Sequence, residues 1–233
     1  MSALGDIEAK IVTCERCLEL RAYCAGIART KARRHANEAY WGKPVPAFGD
    51  PNARIVLVGL APGTHGSNRT GRMFTGDASG DFLYPALHRA GLASQPNATD
   101  VADGMQLRDC IITAAGRCAP PANKPTPQQL RNCFSYLLEE FDALRELRVM
   151  VALGAVGFAA ILRVLRERTF TFDEKPKFGH GAEFAARKGS RTITVLGSYH
   201  PSRQNTNTGV LTAEMFDAIF SRATSLAKGT RTA

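Results

Sequence analysis

Four short apolar runs constrain this chain more than any other feature: "RIVLVGLAP" (54–62), "LRDCIITAAG" (107–116), "RVMVALG" (148–154) and "RTITVLGSYHPS" (191–202). They are rich in Val, Ile and Leu and too short for buried helices, so each reads as a strand covered on both faces. Stretches with helical spacing of apolar residues lie around them, at 6–28, 79–92, 126–144, 155–168 and 211–227. Thr126 suits the N-cap of the third of these, with Pro127 at its first helical position. Strands alternating with helices predict an α/β fold, with a four-stranded, mainly parallel sheet between two helical layers. Ligands of such sheets bind beyond the carboxyl ends of the strands. Three polar loops fall there, 62–78, 116–126 and 200–209.

The first of these loops runs into "THGSNRTGRMFTGDASG" (64–80), which is packed with Gly, Thr, Ser and Asn and has almost no aliphatic residues. A loop of that length is functional or disordered. "GSNRTGRM" (66–73) approaches the phosphate-cradling G-x4-G-K-[ST] pattern, but Arg72 and Met73 replace the lysine and the hydroxyl residue. "GLAPG" fails as a dinucleotide fingerprint, and nothing nearby completes a metal site begun by His65 and Asp77. What remains is an aromatic plate, Phe74, a carboxylate, Asp77, and donors on Asn68, Arg69 and Arg72. His200 lies just past the fourth strand. An aromatic, a carboxylate and a histidine around one cavity suit a flat heterocycle, with a base and a hydrogen-bond donor at hand.

The 233 residues carry a formal charge of +9, which points to a polyanionic partner. The charge is clustered in "RTKARRH" (29–35) and "AARKGSR" (185–191), and either cluster is a solvated face or a phosphate contact. There is no run of about 18 apolar residues and no secretory signal pattern, so no membrane association and a cytoplasmic location are expected. Without secretion, six cysteines argue against disulfides. Cys14 and Cys17 form a C-x2-C pair, and Cys118 and Cys133 have fourteen residues between them. Four thiolates make a structural zinc site or an iron–sulfur cluster, and spacing leaves both open. Cys110, inside a strand, reads as a buried small hydrophobe, and Cys24 as a spare or competing ligand.

"GLAPGTHGSNRTGRMFTGDASG" (59–80), "RCAPPANKPTP" (117–127) and "YHPSRQNTNTG" (199–209) resemble the three motifs of the uracil-DNA glycosylase superfamily, and most closely its family 5, the type B iron–sulfur enzymes. The resemblance, which spans Cys14 to about Thr212, implies a three-layer α/β/α sandwich; the length suits a single domain over 1–233, with 228–233 read as a frayed tail. The resemblance also implies a structural [4Fe–4S] cluster on Cys14, Cys17, Cys118 and Cys133, with no metal in the chemistry. The implied substrate is DNA containing uracil or other deaminated bases, handled by a monomer. By the same resemblance Phe74 stacks on the flipped base and backbone amides near Gly63 bond its edge. His200 steadies the charge that develops on the base, and Asp77 orients the attacking water. Arg203, Gln204 and Asn205 on the 201–209 loop wedge into the duplex.

The motifs also depart from other branches of that superfamily. Leu60 and Gly63 stand where others carry a water-activating acid or asparagine, which passes that role to Asp77. Ala114 stands where others place a uracil-reading asparagine, so a wider base range is expected, with Asn123 a substitute reader. The competing expectation is a non-catalytic iron–sulfur or zinc protein that binds nucleic acid.

Overall fold

The computed structural model describes residues 3–229. Its elements run, in chain order, α1 (Ala3–Val12), α2 (Leu18–Thr30), β1 (Phe48–Gly49), β2 (Ile55–Gly59), α3 (Ser67–Thr70), α4 (Ala78–Arg89), β3 (Cys110–Ala114), α5 (Pro127–Ala143), β4 (Val149–Leu153), α6 (Ala155–Glu167), β5 (Thr171–Phe172), β6 (Glu183–Lys188), β7 (Arg191–Ser198), α7 (Arg203–Asn207) and α8 (Ala213–Lys228). Of the tail expected at 228–233, Lys228 still belongs to α8 and Gly229 caps it, while 230–233 lie outside the described residues.

The expected parallel sheet is present but larger. It has seven strands in the order β1-β3-β2-β4-β7-β6-β5. The four predicted strands, β2, β3, β4 and β7, form the parallel centre, and β1, β5 and β6 extend it with antiparallel pairings at both edges. The unpredicted β6 is half-exposed and polar ("EFAARK") and pairs along its whole length with β7. The strands β2, β3 and β4 are buried at every position, as sheets covered on both faces require. Successive residues feed opposite layers. Ile55, Leu57, Ile112 and Val151 pack with α4 and α8, whereas Val56, Val58, Ile111 and Met150 pack with α5 and α6.

The chain leaves central β2 for β3 on one side and later returns to β4 on the other. The carboxyl end of β2 is therefore the topological switch point, where open α/β sheets place their ligands. The loop after Gly59 starts there. The stretch 6–28 is not one helix: it breaks into α1 and α2, with Cys14 in the break and Cys17 as the N-cap of α2. Apolar spacing runs through the break, so periodicity alone hides it. The Thr126 cap forms as expected, accepting from the Gln129 N–H while the Gln129 side chain accepts from the Thr126 N–H. Among the described residues no helix is long and apolar enough to cross a membrane.

Candidate active site

A cavity of about 870 Å³ opens at the carboxyl end of β2. Its walls include Leu60, Ala61 and Gly63 from the first motif, Phe74 and Asp77 farther along it, Asn123 from the second, and His200, Arg203 and Gln204 from the third. Three chain segments distant in sequence thus meet at one point.

Asp77 is the N-cap of α4. Its Oδ1 accepts from the N–H groups of Ser79 and Gly80 at 3.0 and 3.1 Å. Its Oδ2 faces Gly63 and Gly66, where an added Cβ would lie 2.7 and 1.9 Å away. A side chain at Gly66 would therefore collide with that oxygen. One oxygen thus serves the helix and the other the cavity. Burial raises the Asp77 carboxyl above its ordinary pKa, opposed by the N–H bonds of Gly80 and Ser79.

Phe74 sits at φ +53°, a left-handed conformation that non-glycine residues rarely adopt. Its N–H donates to the Ser67 hydroxyl at 3.0 Å, and its carbonyl fills the space beside Gly80, where a Cβ would lie 1.8 Å away. Its ring edge lies 3.0 Å from where a Cβ on Gly59 would be. Such strain persists only where the surroundings over-determine it, and it concentrates at ligand sites.

The His200 ring lies with its centroid 5.9 Å from that of Phe74, tilted 33° to it. Burial pushes its pKa down to about 4, so the imidazole is neutral near pH 7. Its backbone carbonyl accepts from the Asn205 side chain and the Ser202 N–H. The Gly63 N–H donates to no protein group among the described residues, and Asn123, exposed at φ +56°, stands at the rim.

Other expected contacts turn inward. Asn68 donates towards the carbonyls of Cys24 and Thr64, Arg69 to those of His65 and Gly76, and Arg72 forks onto Asp103 at 2.9 and 2.6 Å. All three are buried, and a buried guanidinium needs a full set of partners. They hold the loop in shape and do not line the cavity. The 201–209 segment holds the short helix α7, with Arg203 and Gln204 exposed, while half-buried Asn205 braces His200 instead of facing outward. Ala114 lies buried at the end of β3, outside the cavity wall.

The uracil DNA glycosylase superfamily profile matches residues 46–224. The type-5 uracil-DNA glycosylase of Thermus thermophilus is 48% identical over 225 residues, covering 95% of this chain and 99% of that protein. The type-5 enzyme of Pyrobaculum aerophilum is 44% identical, covering 94% and 91%. The type-4 uracil-DNA glycosylase of Archaeoglobus fulgidus is 28% identical, covering 87% and 83%. The chain belongs to the uracil DNA glycosylase superfamily.

Within that superfamily fold, none of the cysteines lines the cavity, and Cys110 is buried in β3. All six are free thiols. Cys118 packs with Cys24, with Cys17 against them, and Cys14 packs beside Tyr136 of α5. The Cys133 thiol is pushed up chiefly by burial, and Cys17 and Cys14 are close enough to add to the effect; the Cys118 thiol is raised by its hydrogen bond with Cys24 and by burial, with Cys133 contributing. Among the described residues no three His, Cys, Asp or Glu side chains close around a point suited to one metal ion. A four-iron cluster asks for something wider, since each thiolate binds its own iron. The donor set fits such a group. Its thiols are soft ligands, and Arg21 lies near Cys118 and Arg117 near Cys133, the latter with Nε and Nη1 buried and unpartnered. The Sγ of Cys24, beside Cys118, donates to the Ala119 carbonyl at 3.4 Å.

Sequence reasoning missed the segment 33–40. Arg34 and His35 line the cavity, and Tyr40 hydrogen-bonds His65 at 3.1 Å. Charge density at 29–35 was the only signal, and it did not locate the segment.

Proposed function

We infer that the chain is a uracil-DNA glycosylase of type 5, which turns uracil out of DNA and hydrolyses its N-glycosidic bond to leave an abasic site. The observation that carries this reading is the meeting of Asp77, Phe74 and His200 on one cavity at the switch point of this family's fold. A base inside a duplex is out of reach, so it must be extruded at a cost of a few kcal/mol in stacking and pairing. The Phe74 face offers the flipped ring a stacking surface, and the free Gly63 N–H offers its edge a donor. Arg203 and Gln204, exposed beside the cavity, are placed to fill the gap in the duplex.

As the C1′–N1 bond breaks, its electron pair leaves with N1 and negative charge spreads to the base carbonyls. A neutral His200 ring keeps one N–H and can donate it to that oxygen without first gaining a proton, and in an enclosed site such a bond is strengthened. Asp77 Oδ2, in the carboxylate form that the step requires, stabilises positive charge on the sugar and orients a water. The water oxygen bonds C1′, and its proton passes through the carboxylate to N1 of the departing base. The cavity exceeds one pyrimidine in size, and no side chain from Ala114 enters it, so hypoxanthine and other deaminated bases belong to the substrate range.

Cys14, Cys17, Cys118 and Cys133 would hold a [4Fe–4S] cluster, which when bound ties the α1–α2 break to α5 and to the second motif. Protein contacts already run the same way, since Arg16 donates to the Asn132 carbonyl and the Ser135 hydroxyl. With the thiols away from the cavity, the reaction itself is assigned to protein groups. We read the protein as a monomer acting in the cytoplasm on the chromosome.

The test uses end-labelled duplexes with one uracil or one hypoxanthine, incubated with protein in EDTA and then heated in alkali. Strand cleavage at the lesion only after alkali is expected for both. No cleavage, with duplex binding intact, would replace this reading with that of a nucleic-acid-binding protein.

A further inference from the structure

The two basic clusters look alike in sequence, but the fold separates them. The 185–191 cluster forms the β6–β7 turn at the start of β7, the end of the sheet opposite the cavity. Arg187 pairs there with Asp173, and the Arg191 guanidinium packs over the Phe141 ring at 5.2 Å. The 29–35 cluster, by contrast, reaches the cavity, with Arg34 and His35 in its wall.

That wall is fastened to the catalytic loop. His35 Nδ1–H donates to Glu38 Oε1 at 2.5 Å, and Glu38 Oε2 pairs with Arg69. The N–H groups of Trp41 and Gly42 donate to the carbonyls of Arg69 and Asn68 at 2.8 and 3.0 Å. Glu38, the one acid between Arg33 and Tyr40, is thus occupied on both oxygens. Arg34 donates through Nε to the second His35 nitrogen at 3.0 Å and has no acidic partner among the described residues. The imidazole therefore steers the guanidinium while leaving its charge and both Nη groups free. His65 alongside has its pKa lowered by burial and then by Arg34, His35 and Arg69, a sign of positive potential at this wall. Asp77 and Asp81 line the same cavity, so its wall is divided between acidic and basic groups.

We propose that Arg34, aimed by His35, is a phosphodiester subsite that grips the DNA backbone beside the extruded nucleotide. This rests on the glycosylase reading and goes beyond it. Extrusion carries the sugar towards Asp77 and leaves its flanking phosphates at the rim, where the acidic wall repels them. A guanidinium with two free Nη groups matches the two non-bridging oxygens of a phosphodiester. The tethers through Glu38 and Arg69 join that grip to the loop carrying Phe74 and Asp77.

The experiment measures binding of the holoprotein to an uncleavable duplex bearing an abasic-site analogue, across a salt series. A parallel set of duplexes carries one neutral methylphosphonate at each phosphate near the lesion. For Arg34→Ala the log–log salt slope should fall by about 0.9, one phosphate contact, while Lys188→Ala keeps the wild-type slope. One methylphosphonate position should weaken wild type and leave Arg34→Ala unaffected. Arg34 is exposed and makes a single side-chain bond, so the variant should fold. A wild-type slope in Arg34→Ala, or undiminished sensitivity to every methylphosphonate, overturns the proposal while wild-type uracil release stands. Failure of the glycosylase reading would show differently, as wild type that releases no uracil.

Discussion

The Asp77 carboxylate occupies the space that a side chain at Gly66 would need: a Cβ there would stand 1.9 Å from Oδ2. The two residues are eleven apart in the loop, so the glycine holds open the position of the proposed catalytic oxygen. Gly66→Ala must push Asp77 away or shift the backbone. Displacements of about 1 Å at a reacting group cost on the order of 10²-fold in rate. We expect at least that loss in single-turnover uracil release; a variant within a few-fold of wild type would mean that Oδ2 takes no part.

Because Asp77 divides its oxygens between helix cap and cavity, its substitutions should separate stability from activity. Asparagine caps a helix about as well as aspartate, whereas alanine costs about 1 kcal/mol. Asp77→Asn should therefore unfold near the wild-type urea midpoint yet release uracil on the order of 10²–10³-fold more slowly, the scale of losing one preorganised stabilising group. Asp77→Ala should lose both. If Asp77→Asn kept full activity, the residue would be a cap and nothing more.

The pH dependence of the chemical step follows from the same two groups. Asp77 acts ionised, and its pKa lies above the ordinary carboxylate value because it is buried. Falling pH should thus inactivate the enzyme earlier than for an exposed aspartate. His200, with its pKa pushed down to about 4, stays neutral through the physiological range and should add no limb near pH 6.5. A single-turnover profile checks this. A limb near pH 6.5 that disappears in His200→Ala would show that the imidazolium is the working form.

The parallel centre of the sheet was legible because buried strands must be continuous apolar runs, and the catalytic loops followed from where such strands end. β6 was not legible. Its half-exposed "EFAARK" has no apolar run and owes its conformation to pairing with β7, a long-range fact that local sequence does not carry. The arginines of the first motif misled for a related reason. Arg69 and Arg72 look like surface donors, and only their distant partners, Glu38 and Asp103, make their burial tolerable. The segment 33–40 has neither periodicity nor a motif, so its place at the cavity depended on contacts with residues 65–69.

The proposed cluster gives a direct analytical outcome. Protein purified without oxygen should contain about four irons and four acid-labile sulfides per chain. Cys118→Ser and Cys133→Ser should lose both, and Cys24→Ser should retain them, since Cys24 is bound to the Ala119 carbonyl. Stoichiometric zinc with no sulfide would overturn the cluster assignment.

Arg72 and Asp103 form a buried pair, with side chains 4% and 9% exposed, joined by two hydrogen bonds of 2.9 and 2.6 Å. Asp103 also accepts from the N–H groups of Thr99 and Met105, and Arg72 lies 4.9 Å from the Phe48 ring centre. Removing one charge of such a pair strands the other and costs about 3–5 kcal/mol. Asp103→Ala should therefore lower the urea midpoint severely without touching a cavity residue. The wild-type pair also sets a pH dependence. Asp103 is held well below the usual carboxylate range by Arg72 and these N–H bonds, against its burial. An acid with a depressed folded pKa stabilises fully above its unfolded pKa, about 3.9, and loses that contribution as pH falls towards the folded value. Wild type should thus lose stability progressively below about pH 5, and Asp103→Ala should show a smaller loss over the same interval. Equal acid sensitivity in the two proteins would place the dependence on other carboxylates.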